Sequence, residues 1–414
     1  MIQEKTSLVK VDGKNYLIPF ILVTSLFFLW GFAHSLLDVL NKHFQDILGI
    51  TKAKSGWIQA ALYGGYFLIG IPAGLFMKRF GYRKGIITGL LLYVLGAYMF
   101  LPATYVQTFE FTLLCLFVIA CGLTFLETAA NPYTTVLGPH KSAAQRINLS
   151  QSFNGLGWMI GPTVGGFLIL GNTTGDGGNK FSSMALPYMI VGSFVLLVAF
   201  LFIMTKLPEI KEEEAHYEPG AIAKPFWKQR HFQFAVIAQF FYVAAQTGIN
   251  SFFINYVTET MPDISPEKAA YLLSLGFLFF WFGRVSGSVV MKWIKPNRMI
   301  AVYALVNVIT MVVVVANLGW ISLIALFVTY FCMSIMFPTI FALGIKGLGD
   351  QTKQASSYLV MAIVGGAICP VFMGMLADKV NMQIGFVVPM ACFIIIFFFG
   401  YRGYKVRGPK PATI

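Results

Sequence analysis

Of the 17 acidic residues in this 414-residue chain, only Asp38 and Glu127 sit inside long apolar runs away from the first few residues of a run. A charged carboxylate at the centre of a bilayer costs several kcal/mol, so an acid kept there is protonated, paired or facing water. Burial makes a carboxyl hold its proton more tightly, which suits a group that binds and releases protons. His34 lies four residues before Asp38 on the same helical face. It could share the proton of that acid, donate to a substrate as a neutral ring, or simply pack. Asn131 follows Glu127 by four residues, and Pro132 frees the carbonyl of Thr128 beside the acid. Asn148, Gln151 and Asn154 recur every three residues on the next apolar helix, and Gln239, Gln246 and Asn250 stripe a later one. Amides both donate and accept, as a polyhydroxylated ligand requires, and they also serve as glue between helices. The two stripes together favour the lining of a cavity. Arg284 is the single base deep within an apolar run, the others lying at or near run ends; it could pair with an acid or a helix end, or snorkel to the interface, and the structural role is favoured.

The elements that carry these residues are membrane helices. The chain is 57% hydrophobic and 11% charged, against about 25% charged residues in soluble proteins. A spanning helix needs about 20 apolar residues. Such runs number twelve, near 16–44, 54–77, 84–103, 108–137, 142–171, 184–205, 233–258, 267–291, 298–316, 319–345, 354–377 and 384–401. The expected fold is an all-α membrane protein of twelve transmembrane helices in two pseudo-symmetric six-helix bundles. Those bundles are residues 1–205 and 233–414, joined by a polar linker, 206–232, with a short interfacial helix at Pro225–Arg230.

The net charge of +13 does not indicate nucleic acid, because Lys and Arg fall in short clusters between the apolar runs. With the N-terminus inside, 23 of the 30 bases lie in cytoplasmic segments and 6 outside, Arg284 being the remaining one. That bias places both termini in the cytoplasm. Cys115, Cys121, Cys332, Cys369 and Cys392 lie within or at the edges of apolar runs without CxxC spacing, so neither a disulfide framework nor a zinc site is indicated. Walker A, HExxH and serine-elbow patterns are lacking, which removes support for ATP-driven transport by this chain alone and for membrane hydrolysis.

The halves echo one another. Asn131-Pro132 with Leu137-Gly138 corresponds to Phe337-Pro338 with Leu343-Gly344, and Gly161-Pro162 with Gly166 to Cys369-Pro370 with Gly374. Parallel six-helix repeats place a binding site near mid-membrane. Counted at ~1.5 Å per residue, Asp38 lies about 31 Å along its helix from Leu17, in the outer half, and Glu127 about 22 Å from Thr112, near the middle.

The twelve-helix plan and the loop GLFMKRFGYRK resemble the major facilitator superfamily, although Lys78 stands where that loop usually has an acid. SLFFLWGFAHSLLD, IPAGLFMKRFGYRKGIITGL, LETAANPYTTVLGP, RINLSQSFNGLG and FPTIFALGIKGLG resemble segments of the fucose–proton symporter family, in order along nearly the whole chain. The resemblance implies proton-coupled import of a hexose or deoxyhexose by alternating access, not an enzyme activity. By that resemblance Asp38 and Glu127 match the embedded acids, and Gln151 and Asn154 the sugar-facing amides. The fucose members carry asparagines where this chain has His34, Ser35 and Leu37, which leaves the sugar open.

The full expectation is therefore as follows. Asp38, Glu127 and His34 couple to protons. Glu127, Asn131, Gln151, Asn154, Gln246 and Asn250 bind substrate. The coupling ion is H⁺, with no cofactor and no metal. L-fucose is the first choice, glucose or galactose and then N-acetylglucosamine the alternatives, and an uncoupled or sodium-coupled carrier the remaining one. The protein would work as a monomer in a bacterial inner membrane, with a sugar, protons and the lipid bilayer as its partners and no nucleic acid.

Overall fold

In hydrocarbon no water can bond the peptide groups, so an apolar run of this length closes its hydrogen bonds within a helix. The computed structural model follows that rule. It describes residues 9–11, 14–138, 143–170, 182–205, 225–291, 293–346, 348 and 352–405. Twelve helical stretches among them are long and apolar enough to cross a membrane. They are Leu17–Leu48, Lys52–Met77, Tyr82–Val106, Phe109–Asn131, Leu149–Leu170, Ala185–Met204, Arg230–Thr260, Pro266–Gly287, Pro296–Val315, Trp320–Gly344, Tyr358–Lys379 and Met382–Gly403, called here the first to twelfth spans. One feature stands outside the all-α expectation, a two-stranded antiparallel ribbon pairing β1 (Lys10–Val11) with β2 (Lys14–Asn15). Most of the 206–232 linker lies outside the described residues; at its end Phe226–Lys228 forms one 3-10 turn.

Several spans are interrupted. The tenth is made of helices Trp320–Met333 and Met336–Gly344, broken at Ser334–Ile335. Pro338 explains the break: a proline lacks the amide proton, and its ring displaces the carbonyl four residues earlier, here that of Ser334. The fifth and twelfth spans end in π-helical turns, Gly166–Leu170 and Phe399–Gly403.

By contacts the chain divides into two units, each described separately. The first comprises Met1–Thr51, Ser55–Glu212 and Asp263–Phe277; the second comprises Lys52–Lys54, Glu213–Pro262 and Leu278–Ile414. Lys52–Lys54 belong with the second unit because the amides of Lys52 and Ala53 donate to the Asp378 carboxylate at 3.0 and 2.9 Å, and Lys52 pairs with Glu259 at 3.0 Å.

In the first unit the dominant packing is the first span against the helix Ala143–Gly165. Gly157, Gly161 and Gly165 recur every four residues and present one bare stripe to it. A Cβ on Gly157 would strike the Phe28 carbonyl and lie 2.6 Å from the Phe32 amide; one on Gly161 would strike Ser35 Oγ. This seam sets how closely Asp38 and His34 approach the amides of the fifth span. Gly157→Val should therefore lower the stability of the purified protein by about 1–3 kcal/mol, because backbone cannot yield to the added methyls. Gly64→Ala, where an added Cβ meets nothing within 4 Å, should leave it unchanged. Thermal unfolding in detergent separates the two.

Candidate functional site

The first unit collects most of the expected residues in one cluster. Asp38 is buried, and its Oδ1 accepts from Nε2 of Gln59 on the second span at 3.0 Å. Its Oδ2 has no hydrogen-bond partner among the described residues. Neither Asp38 nor Glu127 enters an ion pair with Lys or Arg among those residues, where the pairs formed are Lys42–Asp46 and Lys52–Glu259.

His34 does not bond Asp38. Side chains on a helix lean toward its N-terminus, and the His34 Nδ1 lies 3.0 Å from the carbonyl of Trp30, one turn back. Its ring sits in an aromatic enclosure, with centroids 5.5 Å from Tyr66, 5.7 Å from Trp158 and 6.3 Å from Tyr63. Trp158 in turn meets Phe277 at 5.1 Å. The Tyr66 hydroxyl faces the half-buried Glu127 carboxyl without forming a well-aligned hydrogen bond. Tyr66 thus stands between His34 on one side and Glu127 on the other.

Below Glu127, Asn131 donates Nδ2 to the Glu127 carbonyl at 3.1 Å and accepts from Gln151 Nε2 at 3.4 Å. The Asn131 and Gln151 side chains are thereby linked one turn from Glu127, whose main-chain carbonyl holds Asn131. Asn154 plays a different part. It is buried and gives its amide to the Phe27 carbonyl at 3.0 Å, on the glycine seam. That bond ties two helices together and uses one of its two amide protons. The side chain of Asn148 lies outside the described residues, as do Pro139, His140 and Lys141 of the basic turn. Arg146 is buried, capping the end of the helix Phe109–Val136 through the carbonyls of Thr134 (2.9 Å) and Gly138 (3.3 Å).

In the second unit Asn250 is buried and its Oδ1 accepts from the Tyr330 hydroxyl at 2.8 Å. Gln246 is half-buried, and its side chain makes no hydrogen bond among the described residues. Gln239 is fully buried with both amide atoms unbonded. Arg284 donates Nε to the Ser334 carbonyl at 3.4 Å, and the Tyr242 hydroxyl donates to that of Met333 at 3.0 Å. Both tend the break that Pro338 opens in the tenth span, so Arg284 serves a helix end, the favoured structural role.

Sequence reasoning passed over Gln59, Tyr330 and Tyr242 as polar partners. For Gln59 a signal existed: Gln59, Tyr63 and Tyr66 fall at i, i+4 and i+7 of the second span, one polar and aromatic stripe. The five cysteines are unpaired and buried, and among the described residues no group of three His, Cys, Asp or Glu comes together.

Twelve membrane-length helices that bury lone acids among amides and aromatics define a polytopic secondary carrier. The profile of the Major Facilitator Superfamily matches residues 23–363. The L-fucose-proton symporter of Escherichia coli is 41% identical over 94% of this chain and 93% of that protein. A glucose/galactose transporter of Brucella abortus is 35% identical over 95% of both chains. The crystal structure of the E. coli fucose:proton symporter matches with a TM-score of 0.68 at 40% identity, covering 94% of this chain and 99% of that one. The chain belongs to the fucose–proton symporter family of the major facilitator superfamily.

The contrast between packed and unbonded amides is testable. Asn154→Ala should cost about 0.5–1.5 kcal/mol of stability, the usual worth of one hydrogen bond. Gln246→Ala should shift unfolding little. Thermal unfolding of the purified variants in detergent reads both.

Proposed function

We propose that this protein imports a hexose or deoxyhexose together with protons by alternating access, with L-fucose as the first substrate to test. The observation that carries the reading is the pair of acids, Asp38 and Glu127, held in one helical unit with no ion pair to Lys or Arg among the described residues. A carboxylate in that position is tolerable when protonated, so a proton arriving with the sugar neutralises what would otherwise be a bare buried charge. Asp38, with one oxygen held by Gln59 and the other free, is the better isolated acceptor. Glu127, half-buried and one turn from the linked Asn131 and Gln151 side chains, couples the proton to the sugar by bonding a hydroxyl. In the second unit Gln246 is the amide available to the same class of ligand. Asn154 and Asn250 shape their units through the Phe27 and Tyr330 contacts.

A proton falling through 100 mV supplies about 2.3 kcal/mol, enough for roughly 50-fold accumulation of a neutral sugar. In this reading residues 1–205 and 233–414 are the functional repeats, joined by 206–232. Both termini are cytoplasmic by the 23-to-6 distribution of Lys and Arg. The protein acts as a monomer in a bacterial inner membrane, its relatives being bacterial. Its coupling ion is H⁺ and it uses no cofactor or metal.

A second reading keeps the fold and changes the sugar. His34, Ser35 and Leu37 stand in the first span beside Asp38, and the Brucella relative is a glucose/galactose transporter. Glucose and galactose are therefore the next substrates, followed by N-acetylglucosamine.

The test is pH recording in weakly buffered, energy-depleted cells on addition of each sugar. Alkalinisation with one of them supports proton symport and names the substrate. Uptake of labelled sugar with no pH change would instead favour a sodium-coupled or uncoupled carrier. In the same cells Asp38→Asn should abolish accumulation above the outside concentration while retaining exchange of labelled for unlabelled sugar. Undiminished accumulation by that variant would remove Asp38 from the coupling.

A further inference from the structure

His34 lies one turn from Asp38 without bonding it, and its chemistry follows from one contact. A backbone carbonyl can only accept, so the Nδ1 that lies 3.0 Å from the Trp30 carbonyl carries the proton. In the neutral ring Nε2 is then left with its lone pair as an acceptor. Among the described residues Nε2 has no partner, although the side chain is 7% exposed and enclosed by Tyr63, Tyr66 and Trp158. The Tyr66 hydroxyl in the same enclosure is also buried and unbonded, and it looks onto Glu127. Trp158 stands on the same face of its helix as Gln151 and Asn154, at i+7 and i+4 from them. The unpartnered His34 acceptor thus shares one aromatic enclosure with the Tyr66 hydroxyl that faces Glu127.

We propose that His34 is a specificity-determining residue, whose Nε2 accepts a hydrogen bond from one hydroxyl of the sugar. This rests on the sugar-transport reading above and deepens it. A buried acceptor left empty by a ligand lacking that hydroxyl penalises the ligand, whereas a ligand that supplies the donor is favoured. Tyr66 and Trp158 hold the imidazole by ring contact, so its acceptor direction is fixed before the sugar arrives. His34 in this account positions and selects; it does not carry the transported proton.

The experiment uses the full-length protein reconstituted in proteoliposomes under an imposed proton gradient. Uptake of the labelled sugar that the wild type carries is competed with its monodeoxy analogues, each lacking one hydroxyl. The wild type should disfavour one analogue by about fivefold or more, the worth of one buried hydrogen bond. His34→Phe keeps an aromatic ring in the enclosure and removes the acceptor. It should erase that discrimination, the parent sugar weakening to the level of the analogue, while the number of protons moved per sugar stays as in the wild type. His34→Gln, which retains an acceptor, should restore part of the preference and stands in if the Phe variant does not fold. Three results would overturn the proposal: equal weakening of all analogues in both variants, discrimination left intact, or loss of proton coupling with discrimination unchanged. If the wild type carries none of L-fucose, D-glucose, D-galactose or N-acetylglucosamine, the sugar reading itself falls, and this inference with it.

Discussion

Two carboxyls placed in hydrocarbon, with no ion pair to Lys or Arg among the described residues, are the constraint on which the structure turns. An ion pair would have been the inexpensive way to keep Asp38 and Glu127 inside the membrane, and the described residues form none there. The alternative is protonation, which makes the charge of the unit a variable rather than a constant. The surroundings fit that purpose. Gln59 secures one oxygen of Asp38 and leaves the other free, whereas Glu127 keeps partial exposure one turn from the linked Asn131 and Gln151.

Packing delivers this arrangement. The stripe of Gly157, Gly161 and Gly165 brings backbone against backbone, so the first span and the fifth approach closely enough for Asn154 to reach the Phe27 carbonyl. That closeness also sets Trp158 against His34. Elsewhere the same economy governs a proline. Pro338 strands the Ser334 carbonyl, and Arg284 and Tyr242 tend the carbonyls at the break. An intramembrane base that looked like a candidate for chemistry is thereby occupied with a helix end.

The spans, the lone acids and the family resemblance were legible in the sequence because they depend on composition, spacing and local motifs. Boundaries moved by a few residues, where spans begin or end in polar turns such as Lys52–Ser55. What could not be read was the choice among partners. Asn154 and Gln151 lie on one helix three residues apart, with equal claims to a cavity, and only the rotation of that helix against the first span gives Asn154 its bond to the Phe27 carbonyl. His34 sits four residues from Asp38, which suggested a shared proton, yet its ring leans back toward Trp30. Gln59 was passed over because a single amide in a long apolar run carries no mark of its partner on another helix.

The central claim is that sugar binds a protonated carrier, and the direct measurement is equilibrium affinity against pH in the purified protein. If sugar requires the proton, its apparent Kd should be constant at low pH. At higher pH it should rise up to about tenfold per pH unit for each obligatory proton. Asp38→Asn and Glu127→Gln, examined separately, should flatten that rise for whichever acid carries the linked proton. An affinity independent of pH in the wild type across the titration of both acids would contradict the account, leaving two buried carboxyls whose protons have no bearing on the sugar.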